Sequence, residues 1–207
     1  MRQLIIVRKD LAMSPGKLAS QVSHASMAFL TKMIRDTAAP VWKYQTLPAA
    51  KKDMFTGEIR AAIYRRSDLG KFAAEAFARG ESTFTFRTVD PDKPFGDFEL
   101  CENEIAGYSS KLFIDKETYE DWIGGIFTKT ICEARNKSHL LKAVSAAESL
   151  GLAEGKDFFL IKDNCLTELE PEEIDENGVG RTLTCIGFRP LRDDIAHTIS
   201  KKYQLYR

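Results

Sequence analysis

Lys17, Gln21 and His24 are spaced four and three residues apart, which places the three side chains on one face of a helix. Ser14, Pro15 and Gly16 come just before. Serine suits the cap of that helix and proline its first position. Amides of a helix's first turn, with a fixed ammonium beside them, can hold a phosphate or carboxylate or steady a developing oxyanion. This is not the glycine-rich phosphate loop, because Leu11 stands where that loop needs its first glycine and Leu18 where it needs Ser or Thr. Ser23 has no base at helical spacing other than its neighbour His24, which argues against a serine nucleophile. On residue type alone, Lys17 also reads as a solvated side chain and His24 as a structural histidine.

A second candidate lies far along the chain. Asp163 ends the apolar run that starts at Phe158, so it falls at the C-terminal end of a strand, where open α/β sheets bind ligands. An aspartate there also serves as a turn residue. Arg8, Lys9 and Asp10 leave the first strand together. Arg8 either contacts a phosphate or pairs with Asp10 or Asp163 to shape the turn. Arg65, Arg66, Lys71 and Arg79 read first as a solvated charged face and second as an extension of a basic surface. His139 and His197 read as surface residues.

These groups need positioning elements, and the pattern supplies them. Residues 3–7 form an apolar run suited to a buried strand. The helix from Pro15 extends to about residue 35, with Leu18, Val22, Ala25 and Phe29 as its apolar stripe. Residues 36–45, with Pro40, read as irregular, and 51–66 fit helix and strand equally. Ser67 and Asp68 cap a short helix ending at Gly80. Alternation predicts a strand over 82–89, and Pro91, Pro94 and Gly96 a loop. A short helix is predicted over 115–123. The pattern then gives strand 128–134, helix 137–150, strand 156–162, strand 182–187 and helix 191–203. The class is α/β: a mixed sheet of about four core strands flanked by helices, carrying an inserted α+β elaboration. Residues 1–207 read as one domain, with the insertion at 36–121.

Thirty basic and thirty acidic residues cancel, which argues against extensive contact with a nucleic-acid backbone but leaves room for a local basic pocket. Six acidic residues fall between Glu168 and Glu176, a loop expected to repel a polyanion lying across it. Cys101, Cys132, Cys165 and Cys185 form no C-x-x-C pair, so no metal is expected and free thiols in a reducing cytoplasm fit best. No apolar run approaches membrane-spanning length and no secretory signal is seen at the start.

The run Val7-Arg8-Lys9-Asp10-Leu11-Ala12-Met13-Ser14-Pro15-Gly16-Lys17-Leu18-Ala19-Ser20-Gln21-Val22-Ser23-His24-Ala25 resembles the first motif of the type 2 peptidyl-tRNA hydrolases, V-R-x-D-L-x-M-x-x-G-K-x-A-x-Q-x-S-H-A. The resemblance resumes after Trp122. Residues 128–134 are similar to the family's second strand, 136–152 to its long helix, 158–163 to its third strand, and 181–187 with the tail to its fourth strand and last helix. Where the family reads D-x-G-R-T, this chain has Asp163-Asn164-Cys165-Leu166-Thr167, keeping the aspartate and threonine and losing the glycine and arginine.

The resemblance implies hydrolysis, without a cofactor, of the ester between a peptide's carboxyl group and the terminal ribose of tRNA. Lys17, Asp163 and Thr167 would then be catalytic, and Arg8, Gly16, Gln21, Ser23 and His24 would bind substrate. The partner implied is the acceptor end of peptidyl-tRNA, in the cytoplasm, with no membrane, and the chain would be a homodimer. Two other classes stay open: a non-catalytic RNA- or nucleotide-binding protein on the same scaffold, and a hydrolase of a different ester.

Overall fold

The computed structural model describes residues 1–46, 63–64, 78–80, 83–88 and 99–207. The chain divides into two compact units, residues 1–36 with 112–207, and residues 37–111.

In chain order the elements are β1 (Arg2–Arg8), α1 (Pro15–Thr37), β2 (Ala39–Thr46), β3 (Ile63–Tyr64), β4 (Thr83–Thr88), β5 (Glu99–Ser109), α2 (Lys116–Thr118), β6 (Lys129–Ala134), α3 (Lys137–Ser149), β7 (Phe158–Asp163), β8 (Glu173–Ile174), β9 (Gly180–Leu191), α4 (Asp193–Ser200) and β10 (Gln204–Leu205). The first unit holds an α/β fold on a mixed six-stranded sheet in the order β10-β6-β1-β9-β7, with β8 paired to β9. β1 runs parallel to β6 and antiparallel to β9. Leu4, Ile5, Ile6 and Val7 are all fully buried, as a central strand covered on both faces requires. The four expected strands are therefore the heart of the sheet. The two-residue strands β8 and β10 are additions, and β10 lies just past the helix that the pattern placed over 191–203.

Each face of the sheet has its own core. Leu4, Ile6, Phe158, Ile186 and Phe188 pack with Leu140, Ala143 and Ala147 of α3 and with Ala196 and Ile199 of α4. On the other face Ile5, Val7 and Cys185 pack with Ala25, and Leu18, Val22 and Ile161 close around them. This second face belongs to α1, and its spacing is set by Gly187. A Cβ there would lie 2.2 Å from the carbonyl oxygen of Ala25, so helix backbone rests directly on strand backbone. Gln3 ties the same layers: its Nε2 donates to the carbonyls of Ser26 (2.8 Å) and Phe188 (3.0 Å).

α2 is capped by Asp115, whose side chain accepts from the Thr118 amide, and passes into a π-helix over Tyr119–Ile126. Trp122 closes that segment by donating to the carbonyl of Thr128 at 2.9 Å. In α3, Asn136 caps by accepting from the His139 amide. His139 is not a free surface residue, since its ring stacks on Tyr203 at 4.5 Å.

The second unit holds a four-stranded sheet, β2-β5-β4-β3, antiparallel except for β3 with β4. The segment expected to be irregular, 36–45, is largely β2. Pro40 is tolerated there because β2 is an edge strand among the described residues, and an edge strand accommodates a missing N–H. The strand expected over 82–89 is β4. The helix expected from Ser67 lies outside the described residues except for its end, where Gly80 has φ of 77°. Most of 51–66 and the loop with Pro91, Pro94 and Gly96 also lie outside them.

Candidate functional site

The first turn of α1 and the C-terminal end of β7 meet on the α1 face of the sheet. The Nζ of Lys17 lies 2.7 Å from Oδ2 of Asp163, and the two side chains are 13% and 9% exposed. The same ammonium donates to Oγ1 of Thr167 at 3.1 Å. One turn along α1, the Nε2 of Gln21 donates to Oδ2 of Asp163 at 2.7 Å. The other carboxylate oxygen, Oδ1, accepts from the Cys165 amide at 2.9 Å. Lys17, Gln21, Asp163 and Thr167 thus form one connected group, built by residues up to 150 positions apart.

The group has a defined direction. Thr184 donates through Oγ1 to Oε1 of Gln21 at 2.7 Å. Because the Asp163 carboxylate can only accept, the Gln21 carboxamide presents its N–H to it and turns its oxygen to Thr184. Gln21 is 1% exposed, so this polar chain is sealed from solvent on the helix side. Burial alone would raise the Asp163 carboxyl. Hydrogen bonds from Lys17 and the Cys165 amide, with the charges of Lys17 and His24, outweigh it and hold the group below the ordinary aspartate range. Asp163 is therefore a carboxylate at neutral pH, a strong acceptor and a weak base.

The strand-to-loop turn is strained at one point. Cys165 has φ of 54°, in the left-handed region that disfavours residues with a Cβ. This cysteine stands where the family pattern has glycine, so the backbone keeps the conformation that glycine would adopt freely. Leu166, in place of the pattern's arginine, is 83% exposed, and the rim there carries an apolar side chain where the pattern would put a cation.

The remaining site candidates are placed differently. Arg8 is 4% exposed, and each of its three guanidinium nitrogens has a partner. It pairs with Asp10 at 2.8 Å and with Glu172 at 2.7 Å, and donates to the carbonyl of Leu183 at 2.9 Å. Burial opposes its charge, but the carboxylates of Asp10 and Glu172 prevail and hold its pKa above the ordinary value. Arg8 thus pairs with Asp10 at the turn, one of its two sequence readings. Ser23 is exposed but donates to the carbonyl of Ala19 at 2.8 Å, within its own helix. His24 is exposed on α1 near Asp163. Gly16 is exposed too, and a Cβ added there would meet nothing within 4 Å.

Sequence reading missed Thr184 and Glu168. Thr184 sits in a strand where threonine is an ordinary occupant; its signal was a buried polar partner at i+2 from Thr182. Glu168 was read as part of a repelling acidic loop. Instead its two carboxylate oxygens accept from the amide and hydroxyl of Ser14, each at 2.7 Å. That loop is largely neutralised by its own contacts: Glu172 pairs with Arg8 and Lys137, Glu173 with Lys162 and Asp175 with Arg181. Among the described residues no group of three or more His, Cys, Asp or Glu is arranged to hold a metal ion. Burial pushes the Cys185 thiol up to about 12, which makes it a packing residue and not a nucleophile.

The family model for peptidyl-tRNA hydrolase PTH2 matches residues 1–67 and 99–206, well over half the chain. The chain belongs to this family. The match passes over 68–98 and includes the remainder of the second unit. A comparison with curated proteins gives no match. Among the described residues no helix is long and apolar enough to cross a membrane.

Proposed function

We propose that this protein hydrolyses the ester linking a peptide to the terminal ribose of tRNA, in the cytoplasm and without a cofactor. The observation that supports the reading best is the single group formed by Lys17, Gln21, Asp163 and Thr167. Ester hydrolysis needs an oriented water and a donor for the oxyanion, and this group offers both. Lys17 supplies the donor. It neutralises Asp163, and a substrate carbonyl or phosphate would draw the ammonium away. Asp163 then keeps its hydrogen bonds from Gln21 and Cys165 but loses its counter-ion, so its basicity rises as substrate binds. A water held between Asp163 and Thr167 would be oriented and partly deprotonated at that moment. Thr184 and Gln21 act through Asp163 by fixing which oxygen faces the water. Residues 36–121 are an elaboration of the one catalytic domain.

The test is release of labelled peptide from peptidyl-tRNA by the wild type beside Lys17→Ala. The wild type turns over and the variant loses both affinity and rate, because the ammonium serves substrate and oxyanion alike. Tight RNA binding with no hydrolysis by the wild type would reject the enzyme reading in favour of a binding protein.

A further inference from the structure

α1 and β7 extend together well past the catalytic group and form a second concave site at their other ends. A cavity of about 480 Å3 lies between Phe29 and Met33 of α1, Phe159 of β7, and Phe113 and Ile114 of the segment before α2. That volume is in the range that takes a small molecule or one large side chain.

Two counts place this cavity relative to Asp163. Along β7, Phe159, Ile161 and Asp163 alternate onto one face: Phe159 lines the cavity, Ile161 packs with α1 and Asp163 bonds Gln21. Four strand residues from Asp163 to Phe159 span about 13 Å. Along α1, Lys17, Gln21, Ala25, Phe29 and Met33 form one i, i+4 row, and eight helical residues from Gln21 to Phe29 span about 12 Å. Helix and strand therefore give the same separation on the same face.

The walls select the occupant. Lys32 pairs with Asp36 at 2.6 Å and Arg189 with Asp115 at 2.7 Å, so these charges are spent within the lining. Lys156 is the one lining cation without a carboxylate partner among the described residues. A phosphate backbone needs several uncompensated cations, whereas phenylalanine, methionine and isoleucine suit an apolar side chain. β7 is also an edge strand among the described residues; residues 153–155 pair with its first residue, Phe158, and leave the edge beyond it open. An extended chain can pair with such an edge and send alternate side chains toward one face.

Taking the peptidyl-tRNA reading as given, we infer that this cavity is the subsite for the substrate's peptide arm. It receives an apolar side chain about four residues before the scissile ester, since an extended peptide covers about 13 Å in four residues. The peptide runs parallel to β7 with its C-terminal carbonyl at Asp163.

The experiment compares tRNA carrying one N-acetylated residue with tRNA carrying six, the fourth from the ester being leucine or aspartate. Wild type, Phe113→Ala and the double variant Phe113→Ala/Phe159→Ala are assayed for kcat/KM at two salt concentrations. Phe113 is 82% exposed, so its single variant folds even if the double variant is weakened. In the wild type the six-residue leucine substrate is expected to exceed both the one-residue and the aspartate substrates by roughly ten- to hundredfold, the value of one buried leucine-sized group. The variants lose that preference while their rate on the one-residue substrate stays unchanged. Equal kcat/KM on all substrates in an active wild type would overturn the subsite and leave the hydrolase reading standing. A preference that survives in the variants would also overturn it. If the variants lose rate on every substrate with altered salt dependence, the cavity faces RNA and the assignment is wrong. An inactive wild type would overturn the hydrolase reading and the subsite with it.

Discussion

Replacing Asp163 by asparagine separates the chemical role of this carboxylate from its structural one. Its Oδ2 receives Lys17 and Gln21, both at 2.7 Å, and Oδ1 receives the Cys165 amide at 2.9 Å. Asparagine has one acceptor oxygen, so in either orientation its NH2 confronts a donor. Gln21 can turn to accept it if Thr184 swings its hydroxyl to the carbonyl of Ile161 at 3.0 Å, but Lys17 would still face that NH2. The variant thus leaves one buried donor unsatisfied and an ammonium without its counter-ion. Together these cost about 2–3 kcal/mol, or about 4–12 °C in Tm for a chain of this size. Losing the carboxylate that orients and activates water costs a further factor of about 100 in rate, which is about 2.7 kcal/mol of transition-state stabilisation. Single-turnover release of labelled peptide, measured well below the variant's melting point, reads the second quantity, and a thermal melt reads the first. Turnover within about threefold of wild type, in a variant whose Tm has dropped as expected, would show that Asp163 only holds the loop.

Three other perturbations test separate parts of the structure. Because Asp163 is held below its ordinary pKa, its stabilising contribution is complete above the unfolded-state value and is lost as pH falls through the lower folded value; acid titration of Tm should show this in wild type and not in Asp163→Asn. Arg8→Ala removes a buried guanidinium and leaves Asp10 without its partner, while Glu172 keeps Lys137, which should cost about 3 kcal/mol in denaturant melts and leave the salt dependence of tRNA binding unchanged; a changed slope would place Arg8 at the RNA interface. Cys165→Gly relieves a φ of 54°, worth about 1 kcal/mol, against the weak thiol contacts to Asp163 and Thr182 that it gives up; a stability gain with unchanged rate is the expected outcome.

Much of the first unit could be read from the chain because local pattern and tertiary role agree there. The β1 run is apolar throughout because it is buried on both faces, and the α1 stripe of Leu18, Val22, Ala25 and Phe29 marks the face that packs. Lys17 and Asp163 were legible as a pair only through family resemblance, since nothing local links residues so distant in sequence. Thr184 could not be found because its role depends on Gln21 reaching across from α1, and Glu168 because its partner is the start of that same helix. β2 was missed because Pro40 breaks a central strand but not an edge one. The ending of β9 at Leu191 and the start of α4 at Asp193 differ from the expected helix start at 191, since pairing with β1 carries the strand further than its own alternation shows.

The contact between Gly187 and the carbonyl of Ala25 has a bearing on how this family can vary. A helix seated on a sheet through side chains moves whenever those side chains change size, by fractions of an ångström per methylene. Here the seat is main chain on main chain, so it works as a datum surface whose height does not depend on any rotamer. Lys17 and Gln21 are thereby registered against Asp163 independently of the surrounding core. Sites that rely on alignment lose about a hundredfold for each ångström of error, and this one has placed its tolerance in a dimension that substitution at neighbouring core positions leaves alone. Leu18, Val22 and Ile161 are thus free to drift between aliphatic types, while the glycine beneath Ala25 is not.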